Sequence, residues 1–381
     1  MTKLFEPFTM RGVTLKNRLM ISPMCTYRAD QDGMANDWHL MHYGRMAAGG
    51  AAMVMTESIS VVPEGRHCYG DIGIWEDAQI APLKRIADFI KAQDSVPAIQ
   101  LQHAGRKASS TRPWDGGARP LDETDWIERG EKGWETSAPS PLPYTDGVPP
   151  PREMSIAEIH QFIDDYAAAV KRAAQAGFEV LEVHAAHGYL LNEFLSPISN
   201  IRTDAYGGDL KRRMRLVLEV AEAARAAWPD DLPILTRVSA VDGGSGGWDL
   251  DDTVALAREL KGLGIDCIDC SSGGIDGSAV RQRVPRGPGF QVPFAERVRK
   301  DAGIATVAVG LILSGKQAAE IVDNGRADLV AIGREALRDP NWPNNARMEL
   351  QPELGFSHWP HPVGWWLDKR TQSLAAFGQS I

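Results

Sequence analysis

Between positions 184 and 189 the chain reads His-Ala-Ala-His-Gly-Tyr, two imidazoles three residues apart with a phenol two residues further on. As neutral donors, His184 and His187 could together grip a carbonyl oxygen and stabilise the negative charge that develops on it. Tyr189 is a phenol with an ordinary pKa of about 10, so it stays protonated at neutral pH and can deliver a proton to a carbon that has become basic. The same histidines could instead ligate a metal with Glu182 or Glu193 as a third donor, although no compact zinc pattern surrounds them. Cys25 follows Ser22-Pro23-Met24, where a thiol could touch a redox cofactor or lie inert in a core. Cys267 and Cys270 spell Cys-x-x-Cys, but residues three apart on a strand point to opposite faces, which predicts packing roles for both. The isolated His39, His42 and His160 are expected to be satisfied by local hydrogen bonds.

Something must bring these groups together. Eight short, β-branched-rich runs recur, at Leu19–Met24, Ala51–Thr56, Val96–Gln102, Phe178–His184, Ile234–Val238, Ile265–Ser271, Ile304–Val309 and Ala327–Ile332. Their near-continuous hydrophobicity predicts strands covered on both faces. Amphipathic stretches alternate with them: Ile80–Gln93, Ile156–Ala176 behind a Ser155/Glu158 capping box, Leu210–Ala227, Leu250–Leu263 and Ser314–Asn324. Eight βα units predict an α/β protein, a closed (β/α)8 TIM barrel, over an open doubly wound sheet. No G-x-G-x-x-G turn follows the first strand, as the open sheet would normally require.

In such a barrel the chemistry gathers at the carboxyl ends of the strands, and polar residues stand at those addresses. The first strand ends in Ser22 to Tyr27, the second in Glu57 and Ser58, and the third carries Gln100 and leads to His103, Arg106 and Lys107. The fourth ends in the His184 to Tyr189 segment, the fifth in Arg237, and the sixth in Ser271 to Gly274. Gly310 after the seventh strand, with Gly333 and Arg334 after the eighth, occupy the recurrent phosphate site of barrels. Residues 104–153, rich in Pro, Gly and Trp, leave the third strand as an insertion expected to arch over the mouth as a lid.

Composition narrows the function classes. The 381 residues are 43% hydrophobic and carry 50 acidic against 41 basic side chains, a net charge of −9 with no basic stripe, so nucleic acid and anionic membrane are poor partners. No apolar run approaches the roughly 20 residues that span a bilayer. The amino terminus lacks a signal-peptide layout, and four cysteines make no disulfide framework, so a cytoplasmic location is expected. One domain over residues 1–381 is expected, with 340–381 as a tail.

Several segments together resemble the Old Yellow Enzyme family of flavin-dependent ene reductases, and within it the bacterial group that includes xenobiotic reductases. They are Leu4-Phe5-Glu6-Pro7, Lys16-Asn17-Arg18, Ser22 to Cys25, Gln102 to Lys107, His184 to Leu190, Asn200 to Gly208 and Gly333-Arg334-Glu335. The resemblance implies a barrel holding non-covalent FMN, with NADPH or NADH as electron donor and an α,β-unsaturated carbonyl compound as the small-molecule acceptor. It places Ser22, Pro23, Met24, Cys25, Ser58, Gln100 and Arg237 around the flavin ring, and Gly310, Gly333 and Arg334 at its phosphate. His184, His187 and Tyr27 would bind substrate and Tyr189 would be the acid. Cys25 would modulate without forming a covalent intermediate, and no metal is implied. Two departures stand out: Ser58 where the group commonly has Ala, and an extra polar stretch at Leu121–Lys132.

The resemblance also implies a homodimer or larger homo-oligomer, with a tail side chain such as Trp359, Trp365, Trp366 or Arg370 reaching a neighbour's site. The 11 tryptophans fall mainly in the insertion (Trp114, Trp126, Trp134) and between Trp342 and Trp366, as large amphipathic rings at a mouth or contact would. Two rival functions remain open on the residues alone: a metal-dependent barrel lyase or hydrolase, and a non-catalytic flavin-binding sensor.

Overall fold

Eight parallel strands close into a barrel in chain order in a computed structural model that describes residues 2–276 and 284–377. Residues 378–381 of the expected tail lie outside the described residues. The strands are β1 (Leu19–Ile21), β2 (Met53–Ser60), β3 (Val96–Gln102), β4 (Val180–Ala185), β5 (Ile234–Ser239), β6 (Cys267–Ser271), β7 (Ala305–Ala308) and β8 (Leu329–Ile332). Each falls on one of the eight apolar runs. β1 is shorter than expected, so Ser22 to Tyr27 is loop, while β2 runs on to Ser60 through a register shift between Met55 and Ser58. An irregularity of that kind re-aims the side chains beyond it.

Outside the barrel pack α1 (Asp37–Ala48), α2 (Ile80–Ala92), α3 (Ile156–Gln175), α4 (Leu210–Ala227), α5 (Leu250–Gly262), α6 (Val292–Ala302), α7 (Gly315–Asp323) and α8 (Trp342–Leu350). The Ser155 hydroxyl accepts from the Glu158 N–H and the Glu158 carboxylate accepts from the Ser155 N–H, so the capping box at the start of α3 is formed. None of the described helices is long and apolar enough to cross a membrane.

The core has two layers. Cys270 joins the large cluster between sheet and helices, whereas Cys267 joins Met20, Met53, Met55, Ala98, Val180 and Leu235 inside the barrel. The two cysteines therefore face opposite sides of β6 and serve packing, as the strand period requires. Met10, Val13 and Leu15 of an amino-terminal hairpin (Phe8–Met10 with Val13–Leu15) complete the inner cluster at the amino ends of the strands. Chemistry is thus confined to the opposite mouth.

Residues 104–153 carry more order than their composition suggests. A helix, Glu123–Arg129, starts at Asp122, which accepts from the Thr124 and Asp125 N–H groups, and two short strands pair Ser137–Ala138 with Arg152–Glu153. Asp125 is fully buried between Arg119 and Arg129, which lets a polar helix form within a Pro- and Gly-rich segment. Arg202 fastens the base of the insertion by donating to the Pro139 and Met154 carbonyls at 3.0 and 2.7 Å while pairing with Asp204. The Asn200 to Gly208 motif is accordingly a clamp for the insertion and lies apart from the chemistry.

Candidate active site

Strands β2 to β5 and the loops that follow β1 to β4 build the mouth. The Ser22 to Tyr27 loop is held by Glu57, a buried carboxylate of β2 that accepts from the Thr26 N–H and hydroxyl, both at 2.7 Å, from the Tyr27 N–H at 3.3 Å and from Tyr43 at 3.0 Å. Tyr27 takes a left-handed backbone conformation with φ of 51°, a strain the Glu57 contacts sustain. Cys25 Sγ lies 3.2 Å from Ser58 Oγ, so the thiol meets the serine hydroxyl. Burial, reinforced by Asp71 and Glu57, pushes the thiol up to about 12, so it stays protonated.

After β4 the chain turns sharply. His187 has φ of 62°, and its N–H donates to Ser239 Oγ at 2.9 Å while its ring Nε2 lies 2.7 Å from Ser271 Oγ. Lys107 Nζ donates to the His187 and Gly274 carbonyls, both at 2.6 Å. Gly274, at φ of 95°, packs so closely that a Cβ there would lie 2.6 Å from His187 Cα. The His184 and His187 rings are 5.2 Å apart between centroids, and the edge-on Tyr189 ring is 5.1 Å from His184. Burial, with Arg237 adding to it, holds both imidazoles well below their ordinary range, so each is neutral. Burial likewise holds the Tyr189 phenol well above its own. The buried His184 Nδ1 has no hydrogen-bond partner among the described residues.

One cavity of about 290 Å³ is lined by Pro23, Cys25, Ser58, Gln100, His184, His187, Tyr189 and Arg237, together with His67 and Lys107. Ser22 reaches it indirectly, accepting from Arg237 Nη1 at 3.1 Å. Gly333 lies beside Ser22 and Met24. A second cavity of about 260 Å³ shares His187 and runs along Ser272 to Gly274, Phe290 and Gln291, against which Gly310 packs. Arg334 is exposed at the start of a short helix, Arg334–Arg338, and lines neither space. Tyr27 sits at the rim, 5.7 Å between ring centroids from both His67 and Trp114.

His67 is the residue sequence reasoning missed most completely. It lies in the loop after β2, beyond the polar residues at the strand end, yet its ring stacks near Tyr189 at 6.4 Å. Ser271 is legible in the sequence only as a strand-end polar residue and Ser239 is not singled out there, because their grip on His187 depends on β4, β5 and β6 being neighbours.

Fold and site together are those of a flavin oxidoreductase. Residues 3–353 match the NADH:flavin oxidoreductase / NADH oxidase family, and the chain belongs to that family, the Old Yellow Enzyme family its motifs resemble. The NADPH dehydrogenase of Geobacillus thermodenitrificans (strain NG80-2) is 43% identical over 350 residues, covering 92% of this chain and 95% of that protein. Among solved structures, morphinone reductase superposes with a TM-score of 0.74 at 26% identity, over 91% of this chain and 90% of that one. A 2-naphthoyl-CoA reductase superposes with a TM-score of 0.79 at 25% identity over 90% of this chain, which spans 52% of that one. The protein is therefore an oxidoreductase that uses FMN with a reduced nicotinamide as electron donor.

The mouth fits that cofactor. Among the described residues, His184 Nδ1 is a buried polar atom without a hydrogen-bond partner, available to a bound carbonyl, and the Arg237 guanidinium lines the same cavity. Gly310, at positive φ, packs closely against Phe290 and Gln291, which line the adjoining cavity.

Proposed function

We propose that this protein is an FMN-dependent ene reductase that reduces α,β-unsaturated carbonyl compounds with NADPH or NADH. The observation that carries the reading is the convergence of His184, His187 and Tyr189 on one cavity with Cys25, Ser58, Gln100 and Arg237. In this reading Ser22, Pro23, Met24, Cys25, Ser58, Gln100 and Arg237 surround the flavin ring, and Gly310, Gly333 and Arg334 attend its phosphate. The chemistry that bound FMN would supply there is two-electron carriage between the nicotinamide and the β-carbon of the acceptor. The relatives' name, NADPH dehydrogenase, supports NADPH as donor.

The chain's own residues do the rest. Neutral His184 and His187 donate hydrogen bonds to the substrate carbonyl oxygen, drawing charge from the β-carbon and stabilising the enolate oxygen. Ser271 fixes the rotation of the His187 ring. Tyr189, kept protonated by burial, gives its proton to the α-carbon. Tyr27 packs on the substrate side, and Cys25 tunes the site as a neutral thiol. Residues 104–153 enclose a further cavity of about 1210 Å³ that meets the site through His67 and Lys107, which suits a lid that shapes acceptor access. Four free cysteines support a cytoplasmic setting. Exposure of Trp365 (47%) and Trp366 (68%) on the tail supports assembly into a homo-oligomer.

The reading is tested by incubating the holoenzyme with NADPH and 2-cyclohexenone without oxygen. Cyclohexanone formed one-to-one with NADPH consumed is the expected result. NADPH consumption that requires oxygen and yields no cyclohexanone would confine the protein to an oxidase role.

A further inference from the structure

Beneath the flavin pocket the barrel interior holds charges that ene reduction itself does not use. Gln100, Glu182, Arg237 and Asp269 come from the adjacent strands β3, β4, β5 and β6, where Gln100 is level with Glu182 and Asp269 with Arg237. Gln100 Nε2 donates to Glu182 Oε1 at 2.7 Å, and Arg237 Nε lies 3.4 Å from Asp269 Oδ2. Both carboxyl groups are fully buried, and they face one another within hydrogen-bonding reach. Glu182 Oε2 and both Asp269 oxygens receive no hydrogen bond from any donor among the described residues.

Two ionised carboxylates are acceptors only, so such a contact leaves lone pair against lone pair in a medium that screens poorly. One proton between them turns the repulsion into a hydrogen bond and leaves one charge to match one guanidinium. Burial, then the Asp269 charge, pushes Glu182 up to about 8, and burial raises Asp269 as well.

We propose that Glu182 and Asp269 share one proton and present a single negative charge to Arg237, and that this balanced trio sets the reduction potential of the bound flavin. The inference rests on the reading that Arg237 faces the ring. Reduction adds negative charge to the ring, which a net positive site favours and a net negative site opposes. One shared proton keeps the trio neutral. Glu182 and Asp269 act through Arg237 and are positioning residues.

The test is the flavin midpoint potential of the holoenzyme, read spectrophotometrically against a reference dye, for wild type, Glu182→Gln, Asp269→Asn, the double variant and the double variant with Arg237→Met added. Either single amide leaves one carboxyl, which ionises beside Arg237, so each single variant stays near the wild-type potential. The double variant removes the last negative charge and shifts the oxidised-to-reduced ratio at fixed potential at least about tenfold toward reduced flavin, which is about 30 mV for a two-electron couple. A full shift in either single variant, or a double shift no larger than the sum of the singles, overturns the proposal. An unchanged potential on adding Arg237→Met to the double variant instead defeats the reading that Arg237 faces the ring. Should the double variant not fold, infrared difference spectra decide: a protonated-carboxyl stretch in wild type that is lost in both single variants is expected, and its absence from wild type contradicts the shared proton.

Discussion

The Tyr189 ring stands edge-on to His184, with centroids 5.1 Å apart and planes 77° apart. That perpendicular arrangement separates two tasks. In the proposed function one ring presents a nitrogen to a carbonyl oxygen while the other holds a proton above a different atom of the same acceptor.

His184→Ala removes one of the two carbonyl donors. Binding of enones, and of phenols that mimic them, weakens roughly tenfold to a hundredfold, the value of a hydrogen bond to a group gaining charge. Flavin bleaching on titration with a para-substituted phenol gives the dissociation constant, and an unchanged constant would assign the grip to other residues.

Tyr189→Phe retains the ring and loses the proton. Reoxidation of reduced enzyme by an enone slows by roughly 10² to 10⁴, the usual worth of a general acid, while reduction by NADPH changes much less. Stopped-flow measurement of the two half-reactions separates them. Equal slowing of both would point to misplaced flavin in place of a lost acid.

Cys25→Ser keeps a hydrogen-bonding group 33 positions before Ser58 in the chain and in contact with it in space. Turnover remains measurable and the flavin potential shifts, because burial keeps the native thiol neutral and unsuited to nucleophilic attack. Complete loss of turnover with FMN still bound would reveal covalent chemistry at Cys25.

Asp71 connects the site to stability. Its carboxylate accepts from the His67 N–H at 2.6 Å, yet burial, with Glu57 adding to it, raises it to about 7 from an ordinary 3.8. A carboxyl raised on folding binds its proton more tightly in the native state. Its contribution is full below pH about 4 and is lost as pH rises through about 7, at no more than roughly 1.4 kcal/mol per pH unit. Asp71→Asn cannot ionise, so urea midpoints from pH 5 to 8 should show wild type losing stability relative to the variant. A constant difference would place the titration elsewhere.

The barrel was readable because its strands are buried on both faces and punctuated by helices of clean 3.6 periodicity. Leu210–Ala227 is an example with the same bounds in sequence and structure. The amino-terminal hairpin was not, since three-residue strands such as Phe8–Met10 leave too little alternation to detect. The Glu123–Arg129 helix was hidden because its support is electrostatic, through Asp125, in a segment of breaker-rich composition. Trp342 shows where composition misleads: it sits in the tail cluster expected at a contact, yet it is buried in the core, while Trp114 reaches Tyr27. Strand ends announced His184, Arg237 and Ser58. The pairing of Glu182 with Asp269 and the stacking of His67 on Tyr189 exist only after closure of the barrel.

The most direct test of ene reduction is anaerobic. NADPH should bleach the flavin of the holoenzyme, and 2-cyclohexenone should then restore the oxidised spectrum with one equivalent of cyclohexanone. A flavin that bleaches but stays reduced with enones, maleimides and nitroalkenes alike would contradict the account.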